Sequence, residues 1–192
     1  METTLQSSPV NAKSLAVKNG LIWAAINIAI FLVIYYVKAD LMGSFAFTGI
    51  QMLVGIGLAV YFCIDMRKQI GGYWSFKEAL SNIFIMFFVQ ALVVYFFTVI
   101  FAKFIEPDYV VKMKEITQNT TTAMLEKMGM DQEKIDEAIS KMDKDLDGQF
   151  NPGLFDMLKS IAFVSIGYFI GALIFAAIFK RERPVFASAP EE

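Results

Sequence analysis

ALSNIFIMFFVQALVVYFFTVIFA, residues 79–102, is a run of 24 residues without one charge. A helix rises about 1.5 Å per residue, so this run reaches about 36 Å and exceeds the roughly 30 Å hydrocarbon core of a bilayer. In lipid a helix is favoured because it pairs every backbone donor and acceptor within itself. Three further runs have the same character: 21–37, 41–64 and 157–179, the last uncharged from Ile161 onward. A signal peptide is the competing reading of the first. That run is longer than a signal core, however, and no small-x-small cleavage site follows Tyr35-Tyr36-Val37-Lys38, so an uncleaved span is expected. The fold class is therefore all-α, a four-helix transmembrane bundle.

The connecting segments give the rest of the layout. Residues 1–20 read as a flexible polar tail that turns helical near Lys13, and 183–192 as a C-terminal tail. Lys38-Ala39-Asp40 and Gly43-Ser44 mark a short turn between the first two spans. Gly71-Gly72 breaks the second helix, and Ser75 with Glu78 three residues later forms a capping box for the third. Between the third and fourth spans, residues 105–150 are expected to form an extramembrane helical hairpin. Pro107 opens its first helix, which carries Val110, Met113, Thr117, Thr120, Met124 and Met128 at three-to-four spacing, and Gly129 turns the chain. Asp131 then starts a second helix with an apolar stripe of Ile135, Ala138, Ile139, Met142 and Leu146, closed by Gly148. Asn151-Pro152 reads as the N-cap and first position of the last span, and Pro184 as its stop.

Composition excludes several function classes. Apolar residues make up 56% of the chain and charged ones 19%, against about 25% charged in soluble domains, and the mean hydropathy is +0.52. A net charge of −2 offers no basic field, so nucleic acid is not a partner. Histidine is absent, which removes the commonest general base and metal ligand, and the single Cys63 lies in an apolar run. With no GxSxG, GxxxxGK or CxxC either, no catalytic residue and no cofactor are expected, and the reading is not an enzyme.

Four spans put both termini on one side. Termini inside gives that side Lys13, Lys18, Arg67, Lys68, Lys77, Lys180, Arg181 and Arg183 in short flanking segments. The other side receives nine lysines, but its long loop also holds eleven acidic residues, so charge density favours termini inside. Trp23, Tyr73 and Trp74 would then form an inner aromatic belt and Tyr35, Tyr36 and Tyr109 an outer one.

Arg67, Gly71-Gly72 and Ser75-Phe76-Lys77-Glu78-Ala79 leading into an apolar helix resemble the domain of unknown function 4199 family. Pro107-Asp108, the Met-rich helix and Asn151-Pro152 extend the resemblance over roughly residues 20–182. These are small integral membrane proteins known mainly from Bacteroidota. The resemblance implies a multi-pass protein of the bacterial inner (cytoplasmic) membrane with its long loop facing the periplasm, and it implies no catalytic residue.

Four sets of residues remain as candidates. Asp143, Asp145 and Asp147 before Gly148 form a calcium half-motif of alternating oxygen ligands, with Leu154 where the bidentate Glu belongs; the alternative is a solvated helix end. Asn27, Gln51, Gln90 and Tyr168 fall at similar depth and would meet as a midplane polar cluster, serving either a small solute or interhelical packing. Gly55, Gly57, Gly167 and Gly171 offer smooth faces for packing within the bundle or in a homo-oligomer. Met113, Met124, Met128 and Met142 either close the hairpin or meet a partner. The expected partners are the lipid bilayer and an envelope protein held through residues 105–150. The leading function is a structural or interaction module, and the alternative is a small oligomeric permease or accessory transporter subunit.

Overall fold

The computed structural model describes residues 11–150 and 153–182; the side chains of 146–150 and 154 lie outside the description. Six α-helices follow in order: α1 Ala12–Lys38, α2 Phe45–Gln69, α3 Phe76–Ile100, α4 Tyr109–Lys127, α5 Gln132–Phe150 and α6 Leu154–Phe179. A 3-10 turn, Ala39–Gly43, joins α1 to α2, and a π-helical turn, Phe101–Ile105, ends α3. Four helical segments are long and apolar enough to cross a membrane: Ala12–Gly43, Phe45–Gln69, Phe76–Ile105 and Phe155–Phe179. Large apolar side chains point outward along them, among them Val33, Leu53, Phe163 and Ile178, as expected of surface solvated by lipid.

Local chemistry sets the helix ends. Asn11 caps α1, its Oδ1 accepting from the backbone N–H of Lys13 at 3.0 Å and of Ser14 at 3.4 Å, so the helix starts nine residues before the expected 21. The tail is thus helical from Ala12, next to the turn to helix expected near Lys13. The expected capping box is present: Ser75 N–H and Oγ–H donate to Glu78 Oε2 at 2.8 and 2.9 Å, and Glu78 N–H returns to Ser75 Oγ at 3.3 Å. Gly71 and Gly72 have φ of +97° and +85°. They close α2 with paired bonds from Gly71 N–H to Lys68 O and Gly72 N–H to Arg67 O, the Schellman pattern. Gly129, at φ +72°, and Met130 close α4 in the same way. One expected stop fails: α5 runs through Gly148 to Phe150, since an isolated glycine weakens a helix without ending it. Asn151-Pro152 and Pro184 lie outside the described residues.

The chain forms two compact units. The first comprises residues up to Ala25, Gly55–Ala91 and Val164 onward. Its core contains Ala16, Trp23, Ala59, Phe62, Cys63, Met66, Trp74, Ile83, Met86, Phe87, Ala172 and Ala176. Trp23 stacks on Phe62 at 6.0 Å between centroids and meets Phe87 edge-on at 5.6 Å. It is a core residue, not the belt residue expected of it, because α1 turns this face toward α2 and α3. Gly20 sets the approach of α1 to α3: a Cβ there would lie 2.7 Å from Met86 O and 3.0 Å from Val89 Cβ.

The second unit comprises Ile26–Val54 and Leu92–Phe163. Its core is aromatic: Tyr35, Phe101, Tyr109 and Ile116 with Ala39 and Ala102, flanked by Phe31 and Phe97. Phe101 meets Phe31, Tyr35 and Tyr109 edge-on at 5.2, 5.2 and 5.5 Å, the arrangement that ring quadrupoles favour. Tyr35 and Tyr109 are therefore buried pins rather than an outer belt, and only Tyr36 of the expected three is exposed.

Replacing Gly20 by Val should lower stability by about 1–3 kcal/mol, the usual cost of overpacking, read as thermal unfolding in detergent. Gly57→Ala, whose Cβ meets nothing within 4 Å, should be neutral or stabilising.

Candidate functional site

In the first unit the loop after α2 is tied to the end of α6. The last carbonyls of a helix lack intrahelical donors. Here the Phe179 carbonyl accepts from Trp74 Nε1–H at 2.7 Å and from Arg67 Nη1 at 3.3 Å. Trp74 and Arg181 exchange backbone bonds in both directions at 3.0 Å, and the Arg181 guanidinium lies 5.4 Å from the centre of the Tyr73 ring. Trp74 is 2% exposed, so the loop is a buried clasp rather than a free connection.

Beside the clasp is a cavity of about 380 Å³ lined by Ile70, Tyr73, Glu78, Asn82, Arg181 and Glu182, among others. A neighbouring hollow of about 390 Å³ is lined by Lys13, Lys77, Glu78, Ser81 and Asn82, among others. Asn82 is common to both. Its Nδ2 donates to the Glu78 backbone carbonyl at 2.8 Å, while its Oδ1 is buried without a hydrogen-bond partner.

In the second unit the hairpin is held at both faces. Tyr109 anchors the first turn of α4 in the aromatic core, and Lys112 Nζ lies 4.7 Å above the Tyr35 ring. Gly43 admits α4 to the 3-10 turn: a Cβ there would lie 2.6 Å from Ile116 Cγ2. Across the hairpin, Gln118 Nε2 donates to Asp143 Oδ1 at 2.6 Å and Thr121 Oγ1 to Met142 Sδ at 3.6 Å. A groove of about 570 Å³ runs between α4 and the start of α2, lined by Ser44, Phe45, Asn119, Thr120, Met124 and Met128, among others.

The sequence candidates divide between these settings. Asp143 and Asp145 lie on α5, not in a loop; two helical positions apart they point about 200° from each other, so they cannot wrap one cation. Among the described residues no group of three or more acidic or cysteine side chains could hold a metal, and the Asp147 side chain lies outside the description. Gln51 is exposed on α2 and drops out of the expected midplane cluster. Asn27 is half-buried in the second unit, whereas Gln90 is buried in the first, where Tyr168 packs on Phe87 at 6.1 Å. Of the four smooth glycines, only at Gly171 would an added Cβ meet a neighbour, Phe87 at 3.6 Å, while Gly55, Gly57 and Gly167 face open space. The methionine stripe splits: Met113 packs against the aromatic core and Met142 meets Thr121, while Met124 and Met128 are exposed. Gly20, Gly43, Asn82 and the Trp74–Phe179 bond were not foreseen; Gly20, Gly43 and Trp74 each depend on a partner more than 60 residues away, and the burial of Asn82 comes from neighbouring elements.

Spanning helices, a clasped loop and a braced extramembrane hairpin define a multi-pass helical membrane protein. The chain belongs to the family described as protein of unknown function, DUF4199, whose model matches residues 18–181. No curated protein and no solved structure matches it.

Trp74→Phe removes the hydrogen bond to Phe179 and leaves part of the buried indole volume empty. It should cost about 2–4 kcal/mol in thermal unfolding of the detergent-solubilised chain. Burial, and secondarily the neighbouring Tyr35, push the Tyr109 phenol up from 10.0 to about 12. A raised folded value means that this contribution is complete below pH 10 and is lost as pH rises toward 12. Tyrosinate absorbance of Tyr109→Phe should therefore show one late-ionising phenol fewer than the wild type.

Proposed function

We infer that the chain is a structural or interaction module of a bacterial envelope, embedded in the inner membrane with both termini in the cytoplasm and the α4–α5 hairpin on the outer side. The orientation is supported by the eight cationic residues in the short flanks. The observation that carries the function is the placement of the methionines. Met128 is 64% exposed at the hairpin tip, with Met124 and Met130 beside it and a groove lined by Met124 and Met128 along the same end of the helix. Methionine is flexible and polarisable, and it repacks against varied apolar surfaces. A brace of buried aromatics presenting exposed methionines fits the docking of an apolar segment of another envelope protein.

The experiment is in-cell photocrosslinking from position 130 of the full chain, followed by co-purification. Met124→Lys with Met128→Lys should lower recovery of the crosslinked protein about tenfold while leaving the chain in the membrane. Equal recovery from the variant removes the reading. Orientation is checked with Met128→Cys, which a membrane-impermeant maleimide should label from the periplasmic side.

A further inference from the structure

The first unit carries a second feature, independent of the hairpin. Asn82 is 5% exposed, and its Oδ1 is a buried acceptor with no donor, an arrangement that costs free energy unless a ligand or solvent supplies one. The amide cannot turn to escape this, because its Nδ2 is held by the Glu78 carbonyl at 2.8 Å. The side chain borders the cavity of about 380 Å³ beside the clasp, into which Glu78 brings an anionic group and Arg181 a cationic one. Lys13 and Lys77 border the adjoining hollow. The cavity sits where α2 ends, α3 begins and α6 ends, the level at which apolar spans give way to polar chain.

We propose that this cavity seats the headgroup of phosphatidylethanolamine, its ammonium at Asn82 Oδ1 and Glu78 and its phosphodiester toward Arg181. The chemistry selects this lipid by its donors. A primary ammonium has N–H groups for the orphaned carbonyl oxygen and a positive charge for the carboxylate side of the cavity. A choline headgroup has the charge but no N–H. A glycerol headgroup has hydroxyl donors but no cation to set against Glu78 and Glu182. The ethanolamine phosphate carries both signs, as do the acid and the guanidinium that line the cavity. The acyl chains remain in the bilayer, where the outward apolar faces of α2 and α6 lie.

The test is native mass spectrometry of the full chain released from nanodiscs containing equal amounts of phosphatidylethanolamine, phosphatidylcholine and phosphatidylglycerol. The wild type should retain phosphatidylethanolamine in preference to the other two. Asn82→Leu should lower that retention about tenfold, the loss expected for one hydrogen bond from a charged donor. Asn82→Asp, which keeps an acceptor, should retain the lipid and shows that loss in the leucine variant is not misfolding. Equal retention of the three lipids by the wild type overturns the proposal, as does undiminished retention by Asn82→Leu. Displacement of the lipid by equimolar O-phosphoethanolamine also overturns it, because the occupant would then be a soluble molecule.

Discussion

A backbone N–H or C=O left unpaired in hydrocarbon costs several kcal/mol, so a chain crossing lipid must pair each one within its own helix. The problem returns wherever a helix stops, because the last carbonyls have no donor of their own. This protein meets it with glycine-based Schellman turns after α2 and α4 and with donors from elsewhere in the chain after α6. The Phe179 carbonyl takes a guanidinium from the last turn of α2 and an indole from the loop after it, both more than a hundred residues earlier. The spans, the clasp and the cavity beside it all descend from that single requirement.

The two cores answer different needs. The first unit packs small residues and glycine against large ones, Ala16, Ala172 and Ala176 among Trp23, Phe87 and Met86, so helices approach closely. The second spends its volume on rings. Phe31, Tyr35, Phe101 and Tyr109 form an interlocked set that fixes the start of α4, and the hairpin inherits its direction from them. The π-helical turn at Phe101–Ile105 widens the end of α3 at this place, with Phe101 fully buried.

What could be read from sequence was local. Uncharged runs longer than a bilayer, a Ser75–Glu78 box, a pair of glycines after Arg67 and a glycine at 129 each act within a few residues, and each predicted its element correctly. A boundary slipped where a residue type implied more than it did: Gly148 lets α5 continue. Rotation about the helix axis was not readable. Gln51 consequently went to the outside, and Gly55, Gly57 and Gly167 met nothing, while Gly20 and Gly43 carried the close approaches. In an ordinary soluble helix an apolar stripe announces the inward face; here all faces are apolar, and that signal is absent. The pairing of Asn82 with Glu78 is local too, but the burial that leaves Oδ1 alone comes from the neighbouring elements.

The clasp has a consequence for biogenesis. Trp74 leaves the ribosome long before Phe179 and Arg181, so its indole N–H and backbone have no native partners while the third span, the hairpin and the fourth span are still being made. Closing that connection is among the last events of assembly, achievable only once translation is nearly complete. Until then the segment around residues 70–75 is open to the insertion machinery and to proteases, and its protection marks the moment at which the polypeptide has finished entering the membrane.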